Sequence, residues 1–267
     1  MFSSKSKRIV IIKTGETFPE IKKSHGDFDD WMVSNMGVSK ESVEVFDIYK
    51  NSVLPLPEYC LGVIVTGSHS HVTDHEVWSE NLACWIASLI ERDIPFFGIC
   101  YGHQMLAYAM GGAVGYLSGG AEIGSVAIEL TSAAASDDLF LGMPASFQAQ
   151  ETHYQAVLQV PEGAVILATS TRDRHQAIRF GSCAWGVQFH PEFSSEIEAA
   201  YIDQQSGLLT DAGFDVALLK SQVVDCDYSS SLLKRFVEIV FSRQAPQCEI
   251  CGGYYVCRRW HGCCRFI

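Results

Sequence analysis

The stretch PFFGICYGHQMLAYAMGG, residues 95–112, decides the fold. Ile94 to Ile99 is a short apolar run of the kind found in strands buried on both faces. Tyr101 to Met110 reads as a helix that stops at Gly111-Gly112. The two meet at Gly98-Ile99-Cys100-Tyr101-Gly102, a sharp strand-to-helix elbow with cysteine at its apex. Such a turn leaves the apical side chain exposed at the strand's carboxyl end, and side chains at the flanking glycines would collide with neighbouring backbone. The helix also points the partial positive charge of its N-terminus at the Cys100 sulfur. The pattern predicts a nucleophile. It also admits a plainer reading, in which Cys100 is a small core residue and the glycines serve packing.

Working outward, Arg8 to Lys13, Val43 to Tyr49 and Leu61 to Thr66 read as further buried strands, with helical patterns between them. Asp74 is placed to cap a helix from His75 to Arg92, in which Val77, Leu82, Trp85, Ile86, Leu89 and Ile90 form an apolar stripe. This alternation predicts an α/β fold with a doubly wound, mostly parallel sheet flanked by helices. From Ala113 to His190 strands dominate: Ser125 to Leu130, Phe147 to Thr152, Ala164 to Ala168, Gln176 to Phe180 and Ala184 to Phe189. They are expected to complete the sheet and add smaller antiparallel pieces. Helices follow over Ser195 to Leu208, Phe214 to Val223 and Ser230 to Ser242. Residues 1–245 therefore read as one domain, and residues 246–267 as a Cys-rich tail.

The 267 residues carry 31 Asp and Glu against 19 Lys and Arg, a formal net charge of −12, with 48% hydrophobic residues. That composition suits a large packed core. The acidic balance argues against nucleic acid as a partner, because phosphate binding needs clustered cations. The apolar run Ile9 to Ile12 ends at Lys13, too short for a signal-peptide core. No stretch approaches the ~18 apolar residues of a membrane span. The expectation is a soluble, cytoplasmic chain with no membrane partner. Cys60, Cys84, Cys100, Cys183 and Cys226 are scattered singly and are expected to be reduced. In the tail, four of Cys248, Cys251, Cys257, His261 and Cys263 could surround a zinc ion, although the spacing matches no finger pattern. A packed or disordered extension is the other reading.

The second informative segment is WGVQFHPEF, residues 185–193. His190 emerges from the end of an apolar strand and Glu192 follows two positions later, so in extended chain both face the same way. Glu192 can then hold the imidazole while it takes a proton from Cys100, the nucleophile, base and orienter set of covalent catalysis. On its own, a His-Pro-Glu strand end is as readily a structural turn. His103, in the first turn of the elbow helix, is expected to pack or hydrogen-bond locally. His69, His71 and His75 read as a solvated polar loop in preference to a metal site, having only Asp74 as an acidic neighbour in register. Oxyanion donors are expected from the Tyr101 amide and from Gly67-Ser68, where a parallel strand ends at the same sheet edge. Gly67-Ser68 alone would pass for an ordinary turn.

With GICYGHQ at 98–104 and GVQFHPE at 186–192 on one chain, the sequence resembles the class I, triad-type glutamine amidotransferase family. It looks closest to stand-alone members similar to the amidotransferase domain of guanosine monophosphate synthetase. The likeness covers most of residues 8–195, including VTGS at 65–68 and THYQAV at 152–157. It implies a flavodoxin-like sheet and attack by Cys100 on the side-chain amide of glutamine, giving a glutamyl thioester and ammonia. By the same resemblance His190 is base and then acid, Glu192 orients it, and Gly67, Ser68 and Tyr101 line the oxyanion hole. Gln104 would bind the amino-acid end of the substrate, and His153 would sit in the pocket, a core or loop role remaining open for it. No metal or organic cofactor is implied. The chain departs from the synthetase-linked pattern at Ser68-His69-Ser70, where a second Gly followed by Pro is usual, and no acceptor domain follows. An ammonia-acceptor subunit would then be a separate protein, or there would be no acceptor. The same thioester chemistry would serve another γ-glutamyl compound, a peptide or an amine. A noncatalytic metabolite-binding regulator is a third reading, against which stands the presence of nucleophile, base and orienter together.

Overall fold

In the computed structural model, which describes residues 7–50, 53–244, 248–251 and 254–257, the elbow strand lies at the centre of a nine-stranded sheet. In chain order the elements are β1 (Arg8–Lys13), α1 (Pro19–His25), α2 (Phe28–Met36), β2 (Val43–Asp47), β3 (Cys60–Val65), α3 (Val77–Glu91), β4 (Phe96–Ile99) and α4 (Tyr101–Ala109). They continue as β5 (Ala113–Tyr116), β6 (Glu122–Leu130), β7 (Ser146–His153), β8 (Gln155–Gln159), β9 (Val165–Thr169), β10 (Ala177–Phe180) and β11 (Ala184–Val187). Four helices follow, α5 (Ser195–Gln204), α6 (Ser206–Asp211), α7 (Val216–Ser221) and α8 (Asp227–Ser242), and then a hairpin of β12 (Cys248–Cys251) and β13 (Tyr254–Cys257).

The sheet order is β2-β1-β3-β4-β11-β10-β9-β6-β7. Strands β2, β1, β3, β4 and β11 run parallel, and the pairings from β11 through β7 are antiparallel. Continuous apolar runs are what a two-sided sheet demands, and the alternation is visible residue by residue. Ile9, Ile11, Ile64, Phe97 and Ile99 pack with Met32 and Met36 of α2 and Leu232, Phe236 and Val240 of α8. Val10, Ile12, Val63, Val65 and Phe96 pack on the opposite face with Leu82, Ile86 and Leu89 of α3 and Met105 and Leu106 of α4. Each such side chain, fully buried, stabilises the fold by roughly 1.5–3 kcal/mol.

The expected small antiparallel piece is β5 paired with β8; the pattern alone did not place these two strands. Several helix boundaries differ from expectation; α8, for one, begins at Asp227 and not at Ser230. Asp74 does not cap α3: it ends a single 3-10 turn, Val72–Asp74, and His75 then takes a left-handed conformation, φ 50°, that separates this turn from a helix beginning at Val77. The helix expected over Ser195 to Leu208 is interrupted at Gln205, whose side chain donates to Thr152 Oγ1 (3.0 Å) and accepts from Tyr154 OH (3.2 Å). The segment Phe214 to Val223 holds only six helical residues, started by the Asp215 carboxylate accepting from the Leu218 amide. Cys60, Cys84, Cys100, Cys183 and Cys226 are free thiols. The side chains of the tail, and with them the zinc reading, lie outside the described residues. Among the described residues no helix is long and apolar enough to cross a membrane.

Candidate active site

Cys100 has φ 50° and ψ −100°, one of three described non-glycine residues with positive φ. Such backbone geometry costs of order 1–3 kcal/mol and persists only where the surroundings impose it. Here they do. A Cβ at Gly98 would lie 2.3 Å from the Gly102 carbonyl oxygen, and one at Gly102 would lie 2.5 Å from the Val65 carbonyl oxygen, so β3, β4 and α4 close on each other through two glycines. The Cys100 amide donates to Val187 at the end of β11 (2.8 Å), which fixes the elbow beside the next strand.

From Val187 the chain runs to His190, whose amide donates to the Gln150 carbonyl on β7 (2.9 Å). Its Nδ1 lies 2.8 Å from Glu192 Oε1, both residues being buried. Facing a carboxylate, Nδ1 is the donor, and Nε2 has no hydrogen-bond partner among the described residues. The Phe193 ring stacks on the imidazole at 4.2 Å. Burial opposes a charged His190, but the Glu192 carboxylate and the adjacent Cys100 sulfur outweigh it and hold the imidazole well above its ordinary pKa. A proton leaving the thiol therefore has a favourable place on His190.

Gly67 stands against the same pair. A Cβ there would be 3.0 Å from His190 Cε1 and 3.7 Å from Cys100 Cβ. The Gly67 carbonyl accepts from Thr14 Oγ1 (2.9 Å) and Thr66 Oγ1 (2.8 Å). Because the peptide is planar and trans, the Ser68 N–H points the opposite way. The Ser68 hydroxyl is occupied, donating to the Thr14 carbonyl (2.9 Å) and accepting from the Ser70 amide (3.1 Å). Gln104 lines the same cleft and donates to the Gln155 carbonyl (2.7 Å) and Gln188 Oε1 (3.0 Å). The cleft, about 340 Å³, thus brings together Ser68, Cys100, Tyr101, Gln104, His153 and His190. Glu192 stands behind His190. His103 is fully buried with its ring against Gly186, outside the cleft, and burial lowers its pKa to about 3.

Behind His153 lies a group of buried carboxylates that sequence pattern did not identify. His153 Nδ1 is 2.9 Å from the Gln155 carbonyl, and Nε2 is 3.1 Å from Glu122 and 3.5 Å from Glu151. The donor atoms of Glu122, Glu151 and His153 are close enough to share a metal ion. Glu122 is already engaged by Ser170 (2.7 Å) and Gln176 (2.8 Å), whereas neither carboxylate oxygen of Glu151 has a hydrogen-bond partner among the described residues. Burial and the neighbouring Glu122 charge push the Glu151 carboxyl well up.

Glu198 on α5 is also fully buried, accepting from the Gly124 amide (3.1 Å). Burial raises its pKa to about 8, against the opposing influence of His190 and that amide. The native state therefore keeps a proton that unfolded glutamate loses near its ordinary 4.5, and stability falls as pH rises between these values. Glu198→Gln copies the neutral acid. It is expected to leave Tm unchanged near pH 5 and to raise it by roughly 4 °C or more at pH 8 in thermal scans. Equal shifts at both pH values would show that the carboxyl's charge is not the cause.

The remaining wall of the cleft is aromatic. The Phe18 ring is 4.5 Å from His69 and 5.3 Å from Tyr201, and Tyr201 OH is held by Thr17 Oγ1 at 2.7 Å. His69, expected in a solvated polar loop, is exposed, but into this cleft.

A family model for glutamine amidotransferase class-I matches residues 24–206. Gamma-glutamyl peptidase 5 of Arabidopsis thaliana is 27% identical over 206 residues, covering 75% of this chain and 82% of the relative. A glutamine-hydrolyzing GMP synthase subunit from Ignicoccus hospitalis is 41% identical over 99 residues, which is 37% of this chain and 50% of the relative. The crystal structure of a glutamine amidotransferase from Thermotoga maritima has a TM-score of 0.67 at 23% identity, covering 90% of this chain and 98% of that one, a likeness of fold.

Proposed function

The chain belongs to the class-I glutamine amidotransferase family, and from that premise we propose that it cleaves the side-chain amide of glutamine through a Cys100 thioester, with His190 and Glu192 completing the triad. The observation that carries this reading is the His190–Glu192 pair, 2.8 Å apart and buried, set against a cysteine in a strained elbow.

The Cys100 sulfur adds to the amide carbon while its proton passes to His190 Nε2. Charge on the former carbonyl oxygen is met by the Tyr101 amide at the start of α4 and by the Ser68 amide. His190 returns the proton to the leaving nitrogen, the C–N bond breaks, and ammonia departs with the glutamyl group on sulfur. Water then gives its proton to His190 and attacks the thioester. Glutamate leaves, and the sulfur recovers its proton from His190. Glu192 keeps Nδ1 donating throughout, so that Nε2 is the atom that exchanges protons. Gln104 and His153 line the side of the cleft where the amino-acid end of the substrate would sit.

The test is release of glutamate and ammonia from glutamine by the purified chain, with intact-mass detection of a glutamyl adduct after rapid acid quench. One glutamate per ammonia, with the adduct mapped to Cys100, is the expected result. Turnover with the adduct on another residue would overturn the mechanism. The Arabidopsis relative supports extending the substrate to other γ-glutamyl amides. The Ignicoccus relative, one subunit of a synthase, supports a separate acceptor protein for the ammonia.

A further inference from the structure

Ammonia is a small leaving group, and the cleft has more wall than ammonia needs. At about 340 Å³ it falls in the size range of sites for larger organic ligands. Phe18 is partly exposed and Leu208 is 68% exposed, so apolar surface stands open around the mouth. The wall has a defined side. His69 follows two residues after Gly67, whose Cβ position is 3.0 Å from His190 Cε1, and Phe193 links the His190 ring to Tyr201 at 4.8 Å. Phe18, His69 and Tyr201 therefore stand on the imidazole side of the sulfur, where the leaving nitrogen takes its proton. Gln104, Thr152, His153 and Gln155 supply the polar part of the lining, suited to the glutamyl end.

Charge narrows the class further. Among the described residues lining the cleft there is no Lys, Arg, Asp or Glu. Desolvation and the charge on His190 lower the pKa of His69, so its ring joins the wall as a neutral group. A carboxylate on the leaving group, as in a γ-glutamyl amino acid or peptide, would be desolvated there with no cation but the His190 imidazole, which is already paired with Glu192 at 2.8 Å, and this is unfavourable. An uncharged aromatic or alkyl group would instead cover Phe18 and Leu208.

We infer that this site takes γ-glutamyl amides whose leaving group is an uncharged amine bearing an aromatic or alkyl substituent, seated against Phe18, His69 and Tyr201. This rests on the thioester reading above. The same steps apply with one substitution: the C–N bond breaks to release the amine, its nitrogen protonated by His190, and water regenerates the thiol and releases glutamate.

The experiment compares kcat/KM for three substrates on the full chain: glutamine, γ-glutamyl-phenethylamide and γ-glutamylphenylalanine. The last two share the ring and differ by the leaving group's carboxylate. The phenethylamide is expected to exceed both others by about tenfold or more, in line with selectivity from apolar contacts. Phe18→Ala is expected to lower the phenethylamide-to-glutamine ratio by about tenfold, and Phe18→Leu by less. Each ratio is taken on a single protein preparation, so a reduced folded fraction cancels. Glutamine turned over as well as or better than the phenethylamide would overturn this inference and leave the thioester reading intact. The γ-glutamylphenylalanine being the best substrate would overturn the charge argument. No release from any of the three would sink the inference and the thioester reading together.

Discussion

Cys100→Ala is expected to lower glutamate release by about 10⁴-fold or more while leaving the protein folded. The magnitude follows from the role assigned to the sulfur: with no nucleophile there is no thioester, and the remaining donors and cleft supply only residual acceleration. The fold should survive because Cys100 contributes little that alanine lacks. Its side chain sits at the sheet edge, while the contacts that close the elbow are backbone contacts of Gly98 and Gly102 and the Cys100 amide bond to Val187. Cys100→Gly separates chemistry from strain. It is equally inactive, but it removes the Cβ that makes φ 50° costly. Against the ~1–3 kcal/mol of strain released stands the extra freedom of an unfolded glycine, roughly 0.5–1 kcal/mol. The net expectation is a Tm a few degrees above the parent by calorimetry. Parent-like glutamate release from the alanine variant would remove Cys100 from the reaction.

This separation explains why some of the site was legible in the sequence and some was not. The elbow could be read because two constraints coincide locally: an apolar run that only a two-sided sheet accommodates, and glycines at the two positions where a side chain would strike backbone. His190 and Glu192 are picked out together by an extended-chain argument, but the structure brings them to 2.8 Å by another route: β11 ends at Val187, and residues 190–193 form a turn closed by the Phe193 amide on the His190 carbonyl (3.3 Å). The aromatic wall could not be read. Phe18, His69 and Tyr201 come from three distant segments and meet only because α1, the end of β3 and α5 gather at one sheet edge. Glu198 was hidden for a related reason. In SEIEAAYIDQ it resembles a solvated helix position, and only its packing against Gly124 of β6 buries it. The Asp74 cap failed at one torsion, the left-handed turn of His75, which no pattern of polar and apolar residues encodes.

Gly98→Ala tests the elbow from the backbone side and should be the most damaging single-methyl change in this part of the chain. The new Cβ would lie 2.3 Å from the Gly102 oxygen, 2.4 Å from the Gly102 carbonyl carbon and 2.8 Å from the His103 nitrogen. All three belong to the first turn of α4, and none is a side chain able to swing away. Nor can β4 retreat, because Gly98 is paired with Val65 on one side and Gly186 on the other. Relief requires moving α4 from the sheet, which displaces the Tyr101 amide and turns the sulfur away from His190. A cost of about 3 kcal/mol or more is expected, a fall in Tm of roughly 6 °C or beyond, together with loss of glutamate release in whatever folded protein remains. Two other glycines calibrate the result. Gly111 has open space around its Cβ position but φ +89°, so Gly111→Ala should cost only about 1–2 kcal/mol of backbone strain. Gly207, within α6, has neither a close neighbour nor a positive φ, so Gly207→Ala should raise stability by about 0.5–1 kcal/mol. Chemical denaturation of the three variants should therefore rank 207 above parent, 111 below it and 98 lowest. If Gly98→Ala matched the parent in both stability and turnover, the close approach of β4 to α4 would not be what holds Cys100 in place, and the strain at the nucleophile would need another source.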